Sequence, residues 1–187
     1  YYISPEQMGL NAPLYIGSPI PASPSNNIVC VIDTSGSVPK DMLQSFIGEI
    51  SNLVTLESSN IKQLYLFAAD TSIRGSILEF SQDERLTLPE NLEVEGRGGT
   101  DIGRVLKEVF TWVENKDDFT QDDFHTLIYF SDLIDKPPRR DVLPENLPNI
   151  IFLSPPSLQV RPFKRAVEAF AEVAEIREGT IIDLCKY

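Results

Sequence analysis

The sequence predicts an α/β protein in which helices cover both faces of a mainly parallel, six-stranded sheet. Short apolar runs rich in β-branched residues, typical of strands buried on both faces, alternate along the chain with amphipathic stripes at helical spacing. The first run, Ile28–Ile32, consists of five consecutive apolar residues. Because strands that alternate with helices pair in parallel through crossover connections, the pattern predicts a layered α/β fold.

The same patterns predict the elements in chain order. Strands are predicted at residues 28–32, 64–67, 73–80, 126–130, 150–153 and 180–184. Helices are predicted at residues 42–54, 102–113 and 163–174, where apolar residues recur every three or four positions. Residues 131–149 contain Pro137, Pro138, Pro144 and Pro148, so this crossover is predicted to be mostly loop with at most a short helix.

The chain is interpreted as one domain, residues 28–187, preceded by a proline-rich segment. Residues 1–27 contain five prolines and little periodicity, which indicates an extended segment or linker. The sequence begins at Tyr1 rather than Met, and we interpret it as a fragment of a longer protein.

Composition narrows the classes of partner. The 187 residues include 28 Asp plus Glu and 16 Lys plus Arg, a formal net charge of −12. This charge argues against nucleic acid or an anionic membrane as the main partner, because both are negatively charged. No apolar run approaches the roughly 18–20 residues that cross a bilayer. Cys30 and Cys185 are interpreted as reduced core thiols of a cytoplasmic protein, with a disulfide as the alternative. The single histidine, His125, is too few for a His-rich zinc site.

Polar loops follow or precede three predicted elements. Asp33-Thr34-Ser35-Gly36-Ser37 follows the first strand, Gly96-Arg97-Gly98-Gly99-Thr100-Asp101 precedes the second helix, and Ser131-Asp132 follows the fourth strand. In an open parallel sheet, ligands bind at the carboxyl ends of the strands, so we expect these loops to converge at one edge. Their carboxylate and hydroxyl oxygens suit Mg²⁺, Mn²⁺ or Ca²⁺ rather than zinc.

These motifs resemble the metal-ion-dependent adhesion site of von Willebrand factor A (VWA) domains. The Gly-Gly-Thr-Asp loop and the end of the fourth strand are similar to a narrower group, the bacterial VWA-like domains at the C-terminus of predicted metallopeptidase-like proteins associated with MoxR-type AAA+ ATPases. The resemblance implies a Rossmann-like VWA fold whose antiparallel edge strand is 73–80. It implies hydroxyl ligands, Ser35, Ser37 and Thr100, and two aspartates, Asp33 and Asp132, that bind the metal directly or through water. Asp70 and Asp101 have no firm match in the family motif, and we expect them in an outer shell around the ion.

The resemblance implies a divalent-metal-dependent protein-interaction module rather than an enzyme. An Asp or Glu of a partner would complete the coordination of the ion, and the partner would be a MoxR-type AAA+ ATPase or its client. Two other functions stay open: a metal-assisted hydrolase, and a scaffold whose metal site is vestigial. Each motif also has an alternative interpretation of its own. The Asp33 turn is alternatively a cap of the following helix, and Gly96–Gly99 is alternatively a phosphate-binding loop. Arg139 and Arg140 are interpreted as surface residues, with partner contact as the alternative.

Overall fold

The apolar runs of the sequence form one six-stranded sheet. The structure, a computed structural model, describes residues 26–55, 61–81, 98–116, 124–157 and 159–176. The strands are β1 (Asn26–Asp33), β2 (Ile61–Ala69), β3 (Ile73–Ser81), β4 (Phe124–Phe130), β5 (Asn149–Ser154) and β6 (Glu172–Glu175). Their order is β3-β2-β1-β4-β5-β6. Only the β2–β3 pairing is antiparallel, which confirms the predicted mainly parallel sheet with 73–80 as the antiparallel edge strand.

Strand β1 is the centre of the sheet because its side chains are apolar on both faces. Val29 and Val31 belong to one hydrophobic cluster, and Ile28, Cys30 and Ile32 belong to the other. All five are buried. The Cys30 thiol is free, and burial raises its pKa, so it behaves as a small apolar side chain. Cys185 lies outside the described residues.

Helices cover both faces of the sheet. Helix α1 (Lys40–Thr55) packs on one face, where the Phe46 ring lies 5.3 Å from the Phe130 ring, centroid to centroid. Helices α2 (Ile102–Glu114) and α3 (Val160–Val167) pack on the other face. There the rings of Phe152 and Phe163 are 5.0 Å apart. No helix in the described part of the chain is long and apolar enough to cross a membrane.

The end of the chain differs from the predicted elements. Helix α3 ends at Val167, whereas Val173 and Ala174, which the helical spacing assigns to it, lie in β6 and pair in parallel with β5. The predicted strand at 180–184 lies outside the described residues. The proline-rich crossover is mostly loop, as predicted, and its one helical element is a short 3₁₀ turn at Arg140–Val142.

The strand order fixes where a site can form. From β1 the chain moves to β2 on one side of the sheet, and β4 then pairs with β1 on the other side. In such sheets ligands usually bind where the strand order reverses, which here is at the carboxyl ends of β1 and β4. The loops that carry Asp33 and Asp132 leave the sheet at this point. We call it the carboxyl edge.

Two glycines provide a test of the backbone. Gly48 lies inside α1, and beyond its own helix backbone and chain neighbours no described atom lies within 4 Å of the position that a Cβ would occupy. Gly48→Ala is therefore expected to raise the free energy of unfolding by about 0.5–1 kcal/mol. Gly75 in β3 has equal space but a φ of +65°, so Gly75→Ala is expected to lower that free energy by about 1 kcal/mol. Urea denaturation of the two variants measures both changes. Equal effects would contradict the assigned backbone conformations.

Candidate metal centre at the carboxyl edge

Asp33 is the last residue of β1 and has no exposed surface. Its Oδ1 accepts a hydrogen bond of 2.9 Å from the backbone N–H of Ser35. Its Oδ2 accepts one of 2.7 Å from the Ser131 hydroxyl. One carboxylate therefore fixes the turn after β1 and joins it to the loop after β4, 98 residues further along the chain.

The two serines after Asp33 bring their hydroxyl groups together. The Oγ atoms of Ser35 and Ser37 lie 3.1 Å apart, the first side chain being buried and the second exposed. The N–H of Val38 donates to the Ser35 carbonyl over 3.1 Å, which closes a tight turn before α1. Two alternate residues of this turn thus bring their hydroxyl oxygens together.

Asp132 is the second carboxylate of the carboxyl edge and is only 7% exposed. Its Oδ1 accepts a hydrogen bond of 3.1 Å from the Ile134 N–H, whereas its buried Oδ2 has no hydrogen-bond partner among the described residues. Burial raises the pKa of Asp33; the hydrogen bonds from Ser131 and Ser35 oppose this effect, and the charge of Asp132 adds to it. A buried carboxylate on which the charge of a second one acts, with an unsatisfied oxygen on that second group, favours a cation.

The glycine loop before α2 is tied to the turn after β1. The N–H of Gly36 donates to the Gly98 carbonyl over 3.1 Å, and the N–H of Asp101 donates to the Asp70 carbonyl over 3.3 Å. Thr100 is half-buried between these two anchors. The structure thus brings Asp33, Ser35 and Ser37 into one hydrogen-bonded group and places the Thr100 loop beside it.

The two aspartates assigned to an outer shell have defined local contacts. The Asp70 Oδ1 accepts a 2.7 Å hydrogen bond from Nε of Arg74, and further bonds from the N–H groups of Thr71 and Ser72. Burial alone would raise the pKa of Asp70, but the bond and charge of Arg74 with the backbone donors outweigh it, so the pKa lies below its ordinary value. Asp101 is exposed and caps α2, because its Oδ1 accepts a hydrogen bond of 2.9 Å from the Arg104 N–H.

Two residues of the carboxyl edge make side-chain contacts that the motifs do not predict. The Ser131 hydroxyl donates to Asp33 and accepts a 3.0 Å hydrogen bond from the Leu133 N–H. The Asp135 Oδ2 accepts a 3.1 Å hydrogen bond from Ile102 N–H at the start of α2. Their only sequence signal is position, because polar residues directly after a buried strand lie at the edge where ligands bind.

The residues present fit a divalent cation of the magnesium type. No group of three His, Cys, Asp or Glu side chains within the described ranges could hold a metal. An ion here would therefore depend on serine and threonine hydroxyls beside two carboxylates, a hard-oxygen donor set. The unsatisfied Oδ2 of Asp132 is the feature that such an ion would explain.

The basic residues of the proline-rich crossover differ in their contacts. Arg140 donates to the carbonyl oxygens of Leu143, Pro144 and Glu145, and so stabilises the loop after the 3₁₀ turn. Arg139 has a 77% exposed side chain that forms an exposed ion pair with Asp141. Arg139 is therefore a surface residue, whereas Arg140 has a structural role.

Fold and site together define a Rossmann-like α/β domain with an oxygen-rich cluster at its topological switch point. Residues 28–176 match the family described as VWA-like domain (DUF2201), and the chain belongs to that family. The crystal structure of the ArnB paralog VWA2 from Sulfolobus acidocaldarius is similar, with a TM-score of 0.55 and 14% sequence identity. The match covers 82% of this chain and 42% of that one, and it concerns the fold. No curated protein matches the sequence.

The glycine loop gives a matched pair of variants. A Cβ on Gly98 would lie 2.9 Å from Oδ2 of Asp70, whose carboxylate is held by several hydrogen bonds, so Gly98→Ala is expected to displace this aspartate. We expect a loss of about 1–3 kcal/mol in the free energy of unfolding. Gly99→Ala is the control, because its Cβ would meet only a Thr71 methyl at 3.7 Å. An equal loss in both variants would contradict the close approach of Gly98 to Asp70.

The lowered pKa of Asp70 predicts a pH-dependent contribution to stability. A carboxyl group whose pKa is lowered by folding stabilises the protein above its unfolded pKa of about 3.9, and this stabilisation is lost as the pH falls through the folded pKa. Asp70→Asn is therefore expected to cost about 1–2 kcal/mol at pH 7 and progressively less below about pH 4. Urea denaturation from pH 7 to pH 3 measures the difference.

The control for this pH series is Glu79→Gln, which removes an exposed ion pair with Lys116 and is expected to change stability by less than about 1 kcal/mol. A cost of Asp70→Asn that stays constant down to pH 3 would show that the charge of Asp70 is not what stabilises the turn after β2.

Proposed function

We propose that this chain is a divalent-metal-dependent protein-interaction module that binds an acidic residue of a partner protein. The observation that carries the proposal is the unsatisfied, buried Oδ2 of Asp132, whose charge acts on the buried carboxylate of Asp33. Without a cation this arrangement is costly, because a buried charged oxygen lacks both water and a hydrogen-bond donor.

The ion would be held by oxygen atoms from three loops. Ser35, Ser37 and Thr100 would contribute hydroxyl groups, and Asp33 and Asp132 would bind directly or through ordered water. Mg²⁺ is the proposed ion, with Mn²⁺ or Ca²⁺ as alternatives. A bound divalent cation supplies the positive charge that attracts a carboxylate. The neutral hydroxyls add no negative charge, so a partner Asp or Glu would improve both the charge balance and the coordination.

We propose binding rather than catalysis because of where the candidate proton-transfer groups lie. His125, the only histidine of the sequence, is exposed at the second position of β4, about 16 Å along the strand from its carboxyl end. Asp70 is held by Arg74, and Asp101 caps α2. Metal-assisted hydrolysis, the alternative function, would need a base or nucleophile within hydrogen-bond reach of a bound substrate.

The resemblance noted in the sequence supports a proposal about the partner. The residues of the motifs resemble those of VWA-like domains associated with MoxR-type AAA+ ATPases. We therefore propose that such an ATPase or its client supplies the acidic residue and that binding takes place in the cytoplasm. A scaffold with a vestigial metal site is the competing proposal. The two proposals differ in the metal dependence of binding, because the partner of a scaffold would bind equally well in EDTA.

Metal binding is tested by thermal unfolding in EDTA and in millimolar Mg²⁺ or Mn²⁺. The native protein is expected to gain stability with ion concentration, since a ligand that binds only the folded state stabilises it. Asp33→Asn is expected to lose this gain, because it removes the charge that would bind the ion. Its stability in EDTA is the baseline, since the amide also loses one of the two hydrogen bonds that the carboxylate accepts. Asp141→Asn, at an exposed ion pair, is the control and should keep the full gain.

The partner residue is tested on the same proteins with two amidated, acetylated peptides, Gly-Ser-Glu-Ser-Gly and Gly-Ser-Gln-Ser-Gly. NMR titration is expected to show binding of the glutamate peptide in Mg²⁺ and none in EDTA, with no binding of the glutamine peptide. Ion binding without a preference for glutamate would contradict the interaction proposal. No stabilisation by any ion at millimolar concentration would contradict the metal site itself.

A further inference from the structure

Ile134 is a large apolar side chain left in solvent next to the candidate metal centre. It is 61% exposed, and the only other large apolar residue exposed in the described ranges is Val142, at 37%. The backbone N–H of Ile134 donates to Oδ1 of Asp132 over 3.1 Å. A single exposed isoleucine is common on protein surfaces and does not indicate a function. The conformation of the backbone on either side of Ile134 provides the further evidence.

The chain before Ile134 is held in an uncommon conformation. Leu133 has a φ of +57°, a left-handed conformation that residues other than glycine rarely adopt. The Leu133 N–H donates to the Ser131 hydroxyl over 3.0 Å, and its side chain is 1% exposed. The buried Leu133 and the two hydrogen bonds turn the backbone so that the next residue, Ile134, is in solvent.

The chain after Ile134 is anchored to α2. The Asp135 carboxylate accepts a hydrogen bond of 3.1 Å from Ile102 N–H, and Pro138 is buried with its Cα and Cβ 3.9 Å from the Cβ position of Gly103. Between these anchors lies Lys136, which is exposed. Ile134 and Lys136 are therefore presented by a loop fixed on both sides, and a fixed loop loses little entropy when it binds.

We propose that Ile134 and Lys136 form a docking surface that selects partner segments in which apolar residues flank the acidic residue bound at the metal centre. The proposal rests on the proposed function and adds a selectivity to it. Charge supports this choice of partner. The chain has a net charge of −12, but Lys136, four residues after Asp132, offers a positive charge to an acidic partner segment. Ile134 would pack against the flanking apolar side chain and exclude water around the ion.

The test compares the peptide Gly-Ser-Glu-Ser-Gly with Gly-Leu-Glu-Leu-Gly, both acetylated and amidated, by NMR titration in Mg²⁺ and in EDTA. We expect the leucine peptide to bind the native protein at least about fivefold more tightly in Mg²⁺, because an apolar contact is added. Ile134→Ser is expected to abolish this preference while leaving binding of the serine peptide and the ion affinity unchanged. Val142→Ser, the other exposed apolar position, is expected to keep the preference. Lys136→Gln is expected to weaken both peptides by a similar factor.

The outcomes separate this inference from the proposed function. If both peptides bind equally in Mg²⁺, or if Ile134→Ser keeps the leucine preference, the docking surface is wrong and the metal-dependent module stands. If neither peptide requires Mg²⁺, the proposed function is wrong, and with it the selectivity that rests on it. Equal loss of preference in the Ile134 and Val142 variants would also overturn the inference, because it would indicate a general effect of surface hydrophobicity.

Discussion

The carboxyl edge depends on the burial of one charged group, the carboxylate of Asp33. A carboxylate without water needs donors on both oxygens, and here they come from the Ser35 N–H and the Ser131 hydroxyl. The first donor shapes the turn after β1, and the second joins it to the loop after β4. The arrangement of these two loops at the candidate metal centre therefore follows from satisfying this side chain. Two hydrogen bonds from Thr34 to the Ala69 carbonyl extend the same network to β2.

The fold was predictable because its four central strands are buried on both faces, whereas β3 and β6 at the edges are only partly buried. A sheet covered by helices on each side requires continuous apolar strands, and such runs are visible in a sequence without knowledge of their pairing. The failure at the end of the chain has a physical reason. Phe163, Val167, Phe170 and Val173 continue a helical spacing, and no glycine or proline marks the end of α3. The four residues of β6 adopt a strand conformation because they pair with β5, and the local sequence does not reveal this pairing.

The site was predictable as far as it depends on chain position. Asp33 and Asp132 directly follow or end strands, and the strand pattern alone places both at one edge. The roles of the surrounding residues depend on exact geometry instead. Ser131 contributes through two hydrogen bonds and Asp135 through one. Asp70 forms an ion pair with Arg74, four residues further along the chain. The spacing of residues along the chain predicts which of them lie near one another. A hydrogen bond, however, requires atomic positions within a few tenths of an ångström, which spacing does not predict.

Several unfavourable features of the described structure lie at the carboxyl edge, although the buried Asn27 Oδ1 and Tyr129 hydroxyl, within β1 and β4, also lack a hydrogen-bond partner among the described residues. A buried carboxylate pair, an unsatisfied carboxylate oxygen and a left-handed leucine all occur between the ends of β1 and β4 and the loop beyond. The rest of the sheet has apolar strands that satisfy their backbone groups by pairing. Local costs that persist in one place are characteristic of functional sites, where a ligand offsets them. The net charge of −12 adds a constraint. The acidic partner that we propose would approach against repulsion that salt screens beyond about 8–10 Å. The attraction that overcomes this repulsion would therefore act at short range, from the proposed ion and from Lys136.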